Sequence, residues 1–139
     1  MGTTEIHGIA KSKMNSGYNC CEAVLMACNE YYHLGLPPEV FAVGKFFGGG
    51  FKSGCVCGAL TGLVMAAGTL QEKYPHPLGK DLAQNLHERF LKKFGSTCCR
   101  DIRAKMTSME KIGNKSCKEL TGATAEILCD LWSTRGGKE

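Results

Sequence analysis

Along this chain the apolar residues recur at spacings of three and four between marks of Gly and Pro, the pattern of amphipathic helices. A short, weakly patterned helix is expected over Thr4–Asn15. A second covers Cys20–Leu34, with Val24, Leu25, Cys28, Tyr31 and Tyr32 on one side. Pro37-Pro38 opens a third over Glu39–Phe47, since proline suits a first helical turn, and Gly48-Gly49-Gly50 closes it. A fourth, apolar nearly all round and therefore buried, runs Cys55–Lys73. The fifth, Gly79–Phe94, places Leu82, Leu86, Phe90 and Phe94 on one face and stops at Gly95. A sixth piece covers Thr97–Met109. The last, Cys117–Trp132, turns Leu120, Ile127, Leu128 and Trp132 inward. Sustained alternation is missing, so little or no sheet is expected. The pattern predicts an all-α, single-domain helical bundle of about six to seven helices over residues 1–139.

Composition agrees with one soluble domain: 139 residues, 43% hydrophobic and 22% charged. The net charge of +4 is modest, but nine Lys or Arg lie between Arg89 and Lys118 against two acids there, Asp101 and Glu110. No nucleic-acid-binding module accompanies this stretch, so a solvated face or an acidic protein partner is expected rather than nucleic acid. The apolar segment Cys55–Leu70 has 16 residues, short of the ~20 that span a bilayer, and a buried core helix is the expectation. Gly54, Gly58, Gly62 and Ala66 form a smooth ridge along it. Each helical glycine costs about 1 kcal/mol against Ala, so close approach of another helix, from this chain or a second copy, or of a cofactor is expected to offset it.

Nine cysteines change the picture most. Their odd number, the adjacent pairs Cys20-Cys21 and Cys98-Cys99, and an opening MGTTEIHGIAKSKMN without an apolar signal core argue for free thiols in a reducing, cytoplasmic setting. Four helix starts each carry cysteine. Asn19-Cys-Cys-Glu22 and Ser116-Cys-Lys-Glu119 read as capping boxes, Ser96-Thr97 as caps ahead of Cys98-Cys99, and Ser53-Gly54 stands ahead of Cys55 and Cys57. Unpaired N–H groups and the helix dipole there favour a thiolate, the form that acts as nucleophile or metal ligand. Cys28 and Cys129 fall mid-helix and are assigned to packing. His7, His33, His76 and His87 are expected at the surface, and no Ser/His/Asp or paired-carboxylate arrangement supports a hydrolase.

Gly17-Tyr18-Asn19-Cys20, Cys57-Gly58-Ala59-Leu60-Thr61-Gly62, Phe94-Gly95-Ser96 followed by Cys99-Arg100, and Cys117 resemble the redox-active family named for its C-GCAxxG-C-C cysteine pattern. The resemblance covers nearly the whole chain. It assigns the family's four cysteines to Cys20, Cys57, Cys99 and Cys117, and it alone chooses these over Cys21, Cys55 and Cys98. The family also resembles the cysteine domain of the split-Soret cytochromes, dimeric proteins with c-type haem and an iron–sulfur centre. This chain has no C-x-x-C-H, so covalent haem is not expected. A homodimer is expected from the resemblance and from the glycine ridge.

Three functions compete. The first is electron transfer through an iron–sulfur cluster held by Cys20, Cys57, Cys99 and Cys117, most simply two-iron two-sulfur. The gaps of 37, 42 and 18 residues would require a preassembled fold to gather the ligands. The second is thiol–disulfide exchange, although the thioredoxin-like C-x-x-C is absent and Cys55-Val56-Cys57 is only C-x-C. The third is a structural zinc or soft-metal module.

Overall fold

The computed structural model describes residues 2–111 and 115–133, and these form eight helices and no strand. They are α1 (Gly2–Asn15), α2 (Cys20–Tyr32), α3 (Pro38–Ala42), α4 (Gly58–Lys73), α5 (Leu82–Phe94), α6 (Cys99–Ala104), α7 (Ser108–Lys111) and α8 (Lys115–Ser133). The expected all-α bundle is what forms. No described helix is long and apolar enough to cross a membrane.

Helices α2, α4 and α8 build the centre. Leu25, Leu63, Leu70, Leu86, Phe90, Leu128 and Trp132 are all buried there. Helix α1 packs on α2 and α8, adding a smaller cluster of Ile6, Ala10, Ala27, Ala125 and Cys129. Its far side is tied by polar contacts: His7 lies between Glu119 and Glu126 of α8, and Lys11 pairs with Glu119. Cys28 and Cys129 are core residues, as the helical pattern indicates.

The glycine ridge is consumed within the chain. A Cβ on Gly62 would stand 2.6 Å from the carbonyl oxygen of Cys21, and one on Gly58 2.8 Å from that of Phe47 and 2.5 Å from Cys20 Sγ. The ridge is therefore the seat of α2, and its glycines need no second subunit. Gly54 lies outside α4 and packs against Arg100.

Four expectations are corrected by specific contacts. The third helix ends at Ala42, not Phe47: beyond it the N–H groups of Gly44, Lys45 and Phe47 reach back three residues in tight turns, and the Asn19 side-chain amide holds the carbonyls of Gly44 (3.1 Å) and Lys45 (2.9 Å). Helix α4 begins at Gly58 rather than Cys55, because Val56 pairs with Cys98 in an isolated antiparallel bridge that holds Cys57 extended. The sixth piece is two helices, α6 and α7, separated where Met106 packs against the core. His76 is buried: it accepts a hydrogen bond from the Leu78 N–H at Nδ1 (3.0 Å), approaches the Leu131 carbonyl at Nε2 (3.2 Å) and stacks edge-on against Trp132.

Candidate functional site: a four-cysteine cavity

Each of the four cysteines reaches its place by a different local device. Cys20 opens α2 behind a complete capping box: the Glu22 N–H donates to Asn19 Oδ1 (2.8 Å), and the Asn19 N–H donates to Glu22 Oε1 (2.9 Å). Cys57 is the residue before α4, and its N–H donates to the Thr97 carbonyl (2.8 Å). Cys99 opens α6, with its N–H on the Cys55 carbonyl (2.6 Å). These last two bonds flank the Val56–Cys98 bridge. The pairing ties the start of α4 to the start of α6, and both Cys57 and Cys99 line the same cavity. Cys117 lies in the first turn of α8.

Two of these caps differ from the sequence expectation. Cys98 itself, not Ser96 or Thr97, precedes α6, and its N–H is held by Ser96 Oγ at 3.0 Å. Ser116 lies inside α8, and Glu119 turns to Lys11 and His7 instead of closing a box.

Cys20, Cys57, Cys99 and Cys117 line one open cavity of about 1520 Å³. Their neighbours do not. Cys21 is fully buried, with its sulfur 3.9 Å from that of Met65; Cys55 is exposed outside the cavity; Cys98 turns its thiol to the Gly54 carbonyl at 3.0 Å. Geometry thus separates the members of each pair. Among the described residues no histidine lines the cavity.

Within the cavity Cys20 and Cys57 are direct partners. The Cys57 thiol hydrogen-bonds the Cys20 sulfur and, against the opposing effect of burial, brings Cys20 down from 9.0 to about 7; the N–H groups of Gly49, Cys21 and Cys20 itself assist. The same hydrogen bond, followed by burial, pushes Cys57 far up, which makes it the proton donor of the pair. Cys99 is raised by burial first and then by the charges of Cys20 and Cys117, while Arg103 acts the other way. Cys20 thus interacts with both Cys57 and Cys99.

The wall beside Cys20 is a left-handed turn. Gly49, Gly50, Phe51 and Lys52 follow one another with φ of 67°, 62°, 65° and 54°. Glycine enters this region freely, but Phe51 and Lys52 each cost about 1–2 kcal/mol there. The turn brings the Gly49 N–H to Cys20 and carries Lys52 to the cavity.

Among the described residues cations dominate the lining: Lys45, Lys52, Arg100, Arg103 and Lys118, against one acid, Glu22, which is engaged in its capping box. Arg103 donates to Cys117 Sγ at 3.0 Å, and Arg100 to the Ser53 carbonyl at 2.9 Å. Only Arg100, Arg103 and Lys118 belong to the basic stretch visible in the sequence. Lys45 and Lys52 come from the segment after α3, where the sequence carried no signal beyond its glycines.

The donor set is four sulfurs in a cationic surround, which suits an anionic, thiolate-ligated group. A single tetrahedral ion requires donors crowded within roughly 4 Å of one another. Among the described residues no group of three His, Cys, Asp or Glu is placed to hold one metal ion.

No curated protein and no solved structure matches this chain significantly. The family model described as "Putative redox-active protein (C_GCAxxG_C_C)" matches residues 18–131, a span that contains all four cavity cysteines. The chain belongs to this cysteine-patterned redox-active family.

Proposed function

We propose that the chain is an electron-transfer protein in which Cys20, Cys57, Cys99 and Cys117 hold an iron–sulfur cluster, most simply two-iron two-sulfur. One observation carries the reading: four cysteines from four separate helix openings line one cationic cavity, while the cysteines next to three of them are turned away. When bound, such a cluster supplies reversible one-electron transfer. The chain's own residues supply the rest. Asn19 and Glu22 fix the opening of α2 and so the position of Cys20. The Val56–Cys98 bridge fixes Cys57 and Cys99 together. Arg103 holds the Cys117 sulfur, and the surrounding cations offset the negative charge of four thiolates.

Purification without oxygen, a visible spectrum, and assays of iron, sulfide and zinc test this reading. Visible absorption with iron and acid-labile sulfide in equal amounts is expected. Colourless protein without iron overturns it.

A second reading is favoured by the Cys20–Cys57 hydrogen bond. Cys20, as thiolate near neutral pH, attacks the disulfide of an oxidised partner, and one partner sulfur leaves as thiolate. Cys57 then loses its proton to solvent and attacks Cys20. A Cys20–Cys57 disulfide forms, and the second partner sulfur leaves. Two electrons pass to the partner. In iron-free protein, loss of two thiols on mild oxidation, with a Cys20–Cys57 disulfide in peptide maps, supports this alternative.

A further inference from the structure

Exposed apolar side chains stand at the rim of the cysteine cavity among its cations. Among the described residues the large apolar side chains left exposed are Tyr18, Val43, Phe46, Phe51, Val56, Leu91 and Met109. Of these, Tyr18 and Phe46 line the cavity opening, and Val43 and Phe51 belong to the same segment as Phe46, residues 43–51. Phe46 is 82% exposed, and Phe51 is half exposed while resting on Phe47 with ring centroids 5.1 Å apart. Exposed apolar side chains gathered in one place mark an interaction surface.

Folding does not account for this segment. Phe51 and Lys52 occupy left-handed backbone that glycine would enter without strain, and both are exposed, so neither regains the cost by burial. Lys45 stands beside Phe46 and Lys52 beside Phe51, so apolar and cationic groups interleave along the rim. Arg100 and Lys118 line the same opening, and Glu22, the one acid there among the described residues, is occupied by the Asn19 N–H.

We propose that this rim is the docking surface for an acidic electron-carrier protein, which meets the apolar residues with its centre and the lysines with its periphery. The proposal rests on the electron-transfer reading given above. In each encounter one electron leaves the reduced centre of one protein and reaches the other; no bond forms and no proton moves. Charge selects the occupant. A second copy docking through a two-fold axis would set Lys45 and Lys52 against the same cations, whereas an acidic carrier is attracted and steered.

The test uses the full chain, chemically reduced, with cytochrome c as acceptor in two forms: native, which is basic, and fully succinylated, which is acidic and carries the same haem. Haem absorbance gives the rate. The acidic form is expected to react faster, with a rate that falls as salt rises. In the Lys45→Glu/Lys52→Glu variant the acidic-to-basic rate ratio is expected to drop about ten-fold or more. Equal rates for the two forms without salt dependence overturn the proposal, as does an unchanged ratio in the variant. It is also overturned if Phe46→Asp converts a wild-type dimer to monomer in sedimentation, or abolishes flotation with phosphatidylserine vesicles, since the rim then serves a second copy or a lipid surface. A neutral quinone separates the two levels of failure. Wild-type protein that reduces the quinone but does not discriminate between carriers refutes the docking surface alone; protein that passes no electrons even to quinone refutes the electron-transfer reading beneath it.

Discussion

Gly58 stands so close to Cys20 that a Cβ on Gly58 would lie 2.5 Å from the Cys20 sulfur. The glycine of the Cys-Gly-Ala motif thus makes room for the thiol of another helix. Gly58→Ala is expected to displace Cys20 and to destabilise the fold by about 1–3 kcal/mol, the usual cost of overpacking. Gly68, ten residues along the same helix, faces open space: a Cβ added there would meet no atom within 4 Å. Gly68→Ala is expected to stabilise by about 1 kcal/mol. Urea denaturation of both variants checks the contrast, and peptide-resolved alkylation of Cys20 in Gly58→Ala reports the displacement.

Cys20 is expected to be the reactive thiol near neutral pH. Its value of about 7 lies below the ordinary 9.0, so the thiolate fraction in cluster-free protein rises through half near pH 7 and levels off above pH 8. Iodoacetamide labelling of Cys20, followed by mass spectrometry across pH 5–10, should show that midpoint. Because the Cys57 thiol is the largest lowering influence, Cys57→Ala should move the midpoint upward toward 9.0. A wild-type midpoint already near 9.0 contradicts the hydrogen-bonded pair.

Asn19 joins two structures with one side chain. Its oxygen caps α2, and its amide holds the carbonyls of Gly44 and Lys45. Asn19→Ala should cost about 2–3 kcal/mol, more than the ~1 kcal/mol of an ordinary cap, because both sets of bonds are lost. Asn19→Ser keeps the capping oxygen and loses only the amide contacts, so its cost should be intermediate. Chemical denaturation of the two variants measures the difference.

The helices were legible because their apolar faces repeat locally, and the Asn19 box was legible because its two halves are three residues apart. Elements that rest on distant partners were not. Ser116 and Glu119 have the spacing of a box, but Lys11 and His7, more than a hundred residues earlier in the chain, take the Glu119 carboxylate. His76 sits among prolines and reads as surface, yet Trp132 and the Leu131 carbonyl bury it. The Val56–Cys98 bridge is too short for alternation to announce it, although the hydrogen bonds flanking it tie Cys57 and Cys99 to each other's segments. Lys45 and Lys52 reach the cavity through a left-handed turn that no periodicity encodes.

The cysteine pairs offer the most direct measurement: iron and sulfide content of six single variants prepared without oxygen. Cys20→Ser, Cys57→Ser and Cys99→Ser are predicted to lose most of both, while Cys21→Ser, Cys55→Ser and Cys98→Ser retain them. Equal loss within the pairs, or loss confined to Cys21, Cys55 and Cys98, would contradict a shared centre in this cavity.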